Sequence, residues 1–179
     1  MNFDELNDYF PPRPEPSSEE LLLESIHEQS KWVSFLDEVL YSEIITPSLK
    51  SAFHTKWIES GHFIRIKIGN DEILKKLLVT LLPQYTGPAL TLYRGENEAR
   101  YHAGKIGFCW TQNIRVAKKF GSGLNACKSN GLLLKAYAPT SAIITGPNEH
   151  SRYLGEDEIT VNPSLLERIE VIESYPRSH

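Results

Sequence analysis

The run Leu81-Leu82-Pro83-Gln84-Tyr85-Thr86-Gly87-Pro88-Ala89-Leu90-Thr91-Leu92-Tyr93-Arg94-Gly95 divides the chain into two textures. Pro83 ends a helical pattern, because proline has no amide hydrogen to give and crowds the turn before it. Tyr85 to Pro88 is turn-like, and Leu90–Arg94 is a short β-prone run. Further β-prone runs follow at Gly107–Thr111, Leu132–Ala138, Ala142–Thr145, Glu156–Val161 and Arg168–Glu173. One clear helix interrupts them, Asn113 to Phe120, with Asn113 as its cap and Gly121 as its stop. Helices first and strands later predict an α+β fold, a helical N-terminal region laid on a mostly antiparallel core.

Upstream of the divide, Asn7 to Ser18 carries four prolines and few aliphatic residues, so residues 1–18 are expected to form an extended, mobile arm. Ser17 or Ser18 followed by Glu19-Glu20 marks a helix start. Leu22, Leu23, Ile26, Val33, Leu36, Val39 and Leu40 then recur at helical spacing. Pro47 suits the first turn of the next helix, which passes Phe53 and Trp57 and stops near Gly61. Ile64 to Ile68 fits a strand by its alternation and a helix by the stripe Trp57, Gly61, Ile64, Ile68; helix is the reading taken. Asp71 to Leu82 is a helix capped by Asn70 or Asp71. Residues 19–88 thus form the helical region and 89–176 the strand-rich core.

The chain of 179 residues suffices for one domain with a helical extension, and 40% hydrophobic with 23% charged residues is a globular composition. A net charge of −4 argues against a nucleic-acid partner, which asks for a basic stripe. Lys75-Lys76 and Lys118-Lys119 read as solvated helix faces. Cys109 and Cys127 form neither a disulfide framework nor a zinc site, and reduced thiols fit a cytoplasmic location. No basic-then-apolar leader opens the sequence and no apolar run approaches the roughly 20 residues of a membrane span. No membrane partner is therefore expected, and leaderless secretion stays open.

Near the C-terminus stands Gly155-Glu156-Asp157-Glu158-Ile159-Thr160-Val161. In a strand Glu156 and Glu158 would share one face, roughly 6–7 Å apart, with Asp157 on the other. Two carboxylates so placed suit chemistry in which a sugar-like carbon becomes cationic while a second group activates an acceptor. The alternative is a solvated edge strand or turn. Arg94 closes a strand beside Gly95, where a planar guanidinium can reach a pyrophosphate over bare backbone; alternatively it is a surface arginine paired with Glu96 or Glu98. In Gly107-Phe108-Cys109-Trp110-Thr111, alternation puts Cys109 and Thr111 on one face and Phe108 and Trp110 on the other. That run is alternatively a plain core strand.

The ordered set Tyr93-Arg94-Gly95, Cys109-Trp110-Thr111 leading into Ala117 to Phe120, and Glu156-Asp157-Glu158 resembles the Arg–Ser–Glu branch of the ADP-ribosyltransferases. The resemblance covers the second half of the chain and implies a split β-sandwich and mono-ADP-ribosyl transfer from NAD+, used as a co-substrate without a metal. It implies that Arg94 holds the phosphates and nicotinamide ribose, and that the Gly95 backbone meets the carboxamide. Glu158 would bind the ribose 2′-hydroxyl and stabilise the oxocarbenium ion, and Glu156 would orient and activate a protein acceptor, arginine by the family's pattern. Cys109 stands where the family has serine; a thiol orients Glu158 less well than a hydroxyl, and Thr111 retains a hydroxyl two residues on. Trp110 and Phe120 are candidates to line the nicotinamide pocket, and Arg152 and Tyr153, in the polar loop Asn148–Tyr153, to contact the substrate protein. The N-terminal helices are candidates to dock a substrate, a chaperone or an inhibitor. An NAD+ glycohydrolase and a catalytically weak binding module are the alternative outcomes.

Other signals fail. Gly121-Ser122-Gly123 with Lys128-Ser129 lacks the glycine before lysine that a phosphate loop needs and follows a helix instead of opening one. The six histidines lack metal-ligand spacing, and no Gly-x-Ser-x-Gly elbow is present.

Overall fold

The computed structural model describes residues 15–42 and 45–177. Residues 1–14, which hold most of the expected arm, lie outside the described residues. The helical region consists of α1 (Ser18–Glu28), α2 (Trp32–Tyr41), α3 (Pro47–Ile68) and α4 (Asp71–Leu81). A capping box starts α1: the Ser17 hydroxyl accepts from the Glu20 amide, and the Glu20 carboxylate accepts from the Ser17 amide at 2.7 Å. The stripe from Leu22 to Leu40 is broken by a turn in which Ser30 takes a left-handed φ of 55°. The face buried across both helices is Leu23, Ile26, Trp32, Phe35, Leu36 and Val39, which leaves Leu22, Val33 and Leu40 exposed.

Helix α3 runs for 22 residues, straight through the stop expected at Gly61. Its glycine serves packing: a Cβ there would stand 3.1 Å from ring carbons of Trp57. The helix ends at Gly69, whose φ of 67° is the left-handed conformation that favours glycine. Asn70 caps α4 through its side-chain oxygen. Trp32 meets Phe53 edge-on at 5.9 Å, and both pack with Leu74, Leu77, Leu78 and Leu81 in the first core.

The β region is two three-stranded antiparallel sheets. One has the order β1 (Leu90–Asn97), β3 (Gly131–Ala138), β6 (Glu167–Tyr175); the other has β2 (Cys109–Trp110), β5 (Ile159–Val161), β4 (Ile143–Thr145). They meet at a single bridge, where Tyr93 and Thr111 exchange backbone hydrogen bonds of 2.7 and 3.0 Å. Beyond Tyr93 the two sheets part, and Arg94 is the first residue past the bridge. The α+β class follows as read. Two strands are shorter than expected, β2 and β5, and the loss at β5 removes Glu156–Glu158 from the strand.

Because β2 is only two residues long, Phe108 and Trp110 do not share a face: Phe108 joins the helical core and Trp110 the core between the sheets. Trp57 ties the layers together. Its indole nitrogen donates to the Thr160 hydroxyl at 2.9 Å, and its ring meets Phe108 edge-on at 6.4 Å. Helix α3 is thereby fixed against β5, just after the acidic triplet. No helix among the described residues is long and apolar enough to cross a membrane.

Helix α5 (Glu98–His102) follows β1, and α6 (Ile114–Ser122), capped by the Asn113 side chain, passes the stop expected at Gly121. It lies directly on sheet backbone. A Cβ on Gly95 would come 2.2 Å from the Gly121 nitrogen and 2.4 Å from the Ala117 carbonyl. The polar loop Asn148–Tyr153 is in fact helical, α7 (Glu149–Tyr153).

Candidate functional site

One cavity of about 500 Å³ lies where the sheets part, within the range of small-ligand sites. Arg94, Gly95, Cys109, Trp110, Thr111, Phe120, Glu156 and Glu158 all line it. They come from four separate stretches of sequence, and β1, β2, α6 and the loop before β5 bring them together.

Arg94 is held from three sides. Its Nε donates to Glu96 Oε2 at 2.7 Å, its Nη1 to the Cys109 carbonyl at 2.5 Å, and its guanidinium packs against Gly107. A Cβ at position 107 would stand 2.0 Å from Arg94 Nη2, so glycine there is a condition of the arginine's pose. The surface pairing considered for Arg94 is replaced by a buried one. Glu96 is 0% exposed and also accepts from the Gly107 amide at 2.9 Å, the Asn97 amide at 2.8 Å and Arg100 Nη2 at 2.5 Å. Burial opposes its charge, but Arg94 and Arg100 beside it and these hydrogen bonds hold its carboxyl down at about 2. One fully satisfied carboxylate therefore faces two guanidinium groups, and this end of the cavity carries a net positive charge.

The acidic end is built differently. Gly155 and Asp157 have φ values of 70° and 45°, so Glu156 to Glu158 form a bent loop, and the strand alternation expected for them does not exist. Both glutamates still face the cavity, while Asp157 is exposed. The loop is fixed through its backbone: the Glu156 amide donates to the Ser151 carbonyl at 3.0 Å, and the Glu158 amide to the Ser151 hydroxyl at 2.6 Å. The Glu158 side chain is less well supplied. Oε1 has no hydrogen-bond partner among the described residues, although the Cys109 thiol faces the carboxylate closely enough to favour its charged form. Burial, with help from the negative charge of Glu156, pushes the Glu158 carboxyl up to about 7. Burial and the Glu158 carboxylate push the Cys109 thiol well up, so it is no nucleophile at neutral pH.

The other expected residues divide. Thr111 lies buried at the cavity wall, but its hydroxyl accepts from the Asn113 amide at 3.1 Å, so Cys109 is the neighbour that Glu158 has. Trp110 is a core residue, 2% exposed, whose indole donates to the Gly107 carbonyl at 3.0 Å. Phe120 is half-buried on the cavity wall and free to stack. Gly95 is required by α6, and its carbonyl is already taken by Asn125 Nδ2 at 2.8 Å. Arg152 and Tyr153 line a different cavity of about 940 Å³; Tyr153 is 87% exposed.

Sequence reasoning missed the third wall. Ile58, Glu59, His62 and Phe63 of α3 line the 500 Å³ cavity, with Arg100 of α5 opposite. It also missed Ser151, fully buried beneath the acidic loop. Comparison with protein-family models, with curated proteins and with solved structures finds no match for this chain.

Proposed function

We propose that the protein is a mono-ADP-ribosyltransferase that breaks the nicotinamide N-glycosidic bond of NAD+ and passes ADP-ribose to a protein side chain, arginine first. The observation that carries this reading is the convergence of Arg94, Cys109, Glu156 and Glu158 on one cavity, given that they were chosen from sequence alone. Two antiparallel sheets parted beside Arg94 fit the split sandwich that the resemblance implies.

The charge division of the cavity suits the substrate. Arg94 offers unpaired Nη hydrogens to the diphosphate, and the carboxylates lie at the other end. As the C1′–N bond breaks, its electron pair leaves with nicotinamide, which departs neutral, and positive charge develops on the ribose. A Glu158 carboxylate aimed at that charge in a half-enclosed site stabilises the transition state more than the ground state. The acceptor nitrogen then bonds to C1′ and its proton passes to Glu156. Both steps are displacements at one carbon, so NAD+ is consumed as a co-substrate.

With water as acceptor the same first step makes a glycohydrolase. One observation favours a binding module instead: Cys109 stands beside a Glu158 that is half protonated at neutral pH. The test is nicotinamide release from NAD+ by the wild type and by Glu158→Gln, with a mixed lysate and labelled NAD+. Release that vanishes in the variant, with label on protein, supports the transferase. Release without labelled protein supports the glycohydrolase. Binding of NAD+ without release supports the module, and absence of both binding and release overturns the reading.

A further inference from the structure

We propose that Arg100 is a second diphosphate-binding residue of the cavity, presented by Glu96 and Asn125 to the same anion subsite as Arg94. The inference rests on the NAD+ reading and extends it to a residue outside all three motifs.

Arg100 sits on α5, three residues past its cap, and its side chain is part-buried at the cavity wall. Its Nη2 bridges two fixed acceptors, Glu96 Oε1 at 2.5 Å and Asn125 Oδ1 at 3.1 Å. Asn125 is itself fixed: its amide donates to the Gly95 carbonyl, and its own carbonyl accepts from Asn97 Nδ2 at 3.0 Å. The guanidinium is thus aimed by the same β1 segment that carries Arg94. These bonds occupy only Nη2. The Nε hydrogen is buried without a partner among the described residues, which is unusual for a charged group and leaves donor capacity unspent.

A purely structural arginine is a poor account of this arrangement. Glu96 already accepts from Arg94, from the Gly107 amide and from the Asn97 amide, so its charge is answered without a second cation. Arg100 lines the cavity, so its charge adds to the positive potential there. On the opposite wall His62 has its pKa lowered, by burial first and then by Arg100, with Arg65, Arg94 and Lys128 adding to it. A diphosphate carries two negative charges, and two planar guanidinium groups flanking one subsite match it in number and geometry.

The experiment is calorimetry on the full chain with two probes, ADP and nicotinamide riboside, for the wild type, Arg100→Gln, Arg100→Lys and Asn125→Ala. Thermal unfolding runs alongside. The expected result is about tenfold or more weaker ADP binding in Arg100→Gln, the loss of one charge-assisted contact. Partial recovery is expected in Arg100→Lys, and riboside binding should be unchanged in both. Asn125→Ala keeps the charge but frees it, and should weaken ADP by a smaller factor; it also serves if Arg100→Gln does not fold. Equal ADP affinity in folded Arg100→Gln or, failing that, in Asn125→Ala overturns the proposal while leaving the NAD+ reading intact. A wild type that binds neither ADP nor NAD+ overturns the NAD+ reading itself.

Discussion

The two ends of the cavity are held in opposite ways. At the cationic end, Glu96 has four donors around it and Arg94 is locked by Glu96, the Cys109 carbonyl and Gly107. At the acidic end, the backbone of the triplet is tied to Ser151, but Asp157 has a left-handed φ and Glu158 keeps an unpartnered oxygen and a raised pKa. The Glu96 carboxylate is satisfied before any ligand arrives. The acidic end stores an unfavourable state that a cation would relieve. A site that must bind a constant part of its substrate firmly and react with a transient charge has reason for this asymmetry.

The strongest way to break the comparison is at Glu96. Its folded pKa near 2 lies below the ordinary value of 4.5, so the stability it contributes is fully present above pH 4.5 and is lost as pH falls toward 2. Glu96→Gln leaves the mostly buried Arg94 and the part-buried Arg100 short of their counter-ion and should cost about 3–5 kcal/mol at pH 7. In urea unfolding the gap between variant and wild type should narrow between pH 4.5 and pH 3. A loss under about 1 kcal/mol at pH 7 would mean that the network is not the anchor it looks to be.

Glu158→Gln should do the reverse. Nicotinamide release should fall about a hundredfold to a thousandfold, as for other groups that stabilise developing charge. Stability should rise. A native pKa near 7 against 4.5 unfolded means that the folded state holds a proton the unfolded state has lost, so Glu158 weakens the fold as pH climbs through that window. The variant should be more stable than wild type by on the order of 1–3 kcal/mol at pH 8 and equal to it at pH 4. Equal stability at pH 8 would show that the carboxylate is solvated, and the contrast between the two ends would disappear.

How far the sequence reaches follows the same division. Short-range signals were legible: the Ser17 box, Pro47 and Asn70 starts, Asn113 as a cap, and the change to strands after Pro88. Motif residues were legible because their types and order are distinctive. The shape of the acidic triplet was not: β-branched residues 159–161 extended the strand pattern backward, and only the positive φ at Gly155 and Asp157 shows that the chain bends first. Contacts between distant residues were also invisible. Glu96 meets a glycine amide 11 residues away, and α3 is tied to β5 by a hydrogen bond spanning 103 residues. The sequence also does not show that helix α6 packs on Gly95 and requires a glycine there.

Gly107→Ala sharpens the comparison at the cationic end without touching charge. The added methyl would meet the Arg94 guanidinium, Nε included, which must shift and strain its bond to Glu96, so the fold should survive with a lowered melting temperature, less than in Glu96→Gln. The displaced guanidinium should lower NAD+ affinity about tenfold, the scale of one charge-assisted contact. Calorimetry checks this; unchanged affinity would mean that Arg94 binds from more than one pose.

The smallest effect belongs to Cys109, and it probes the acidic end alone. Burial and the charge of Glu156 hold Glu158 near pH 7, and among the described residues the thiol is the side chain that lowers its pKa by hydrogen bonding. A hydroxyl is the better donor to a carboxylate. Cys109→Ser should therefore move the midpoint of the rising pH–rate profile below that of the wild type. Where Glu158 ionisation limits the wild type, near pH 6.5, turnover should increase a few-fold; at pH 8.5 both proteins have the carboxylate ionised and the gain should shrink. That pH dependence separates the explanation from a general change in packing, which would alter the rate by the same factor throughout. An unchanged or lower rate at pH 6.5 would mean that residue 109 does not orient this carboxylate, and that the thiol is here for another reason.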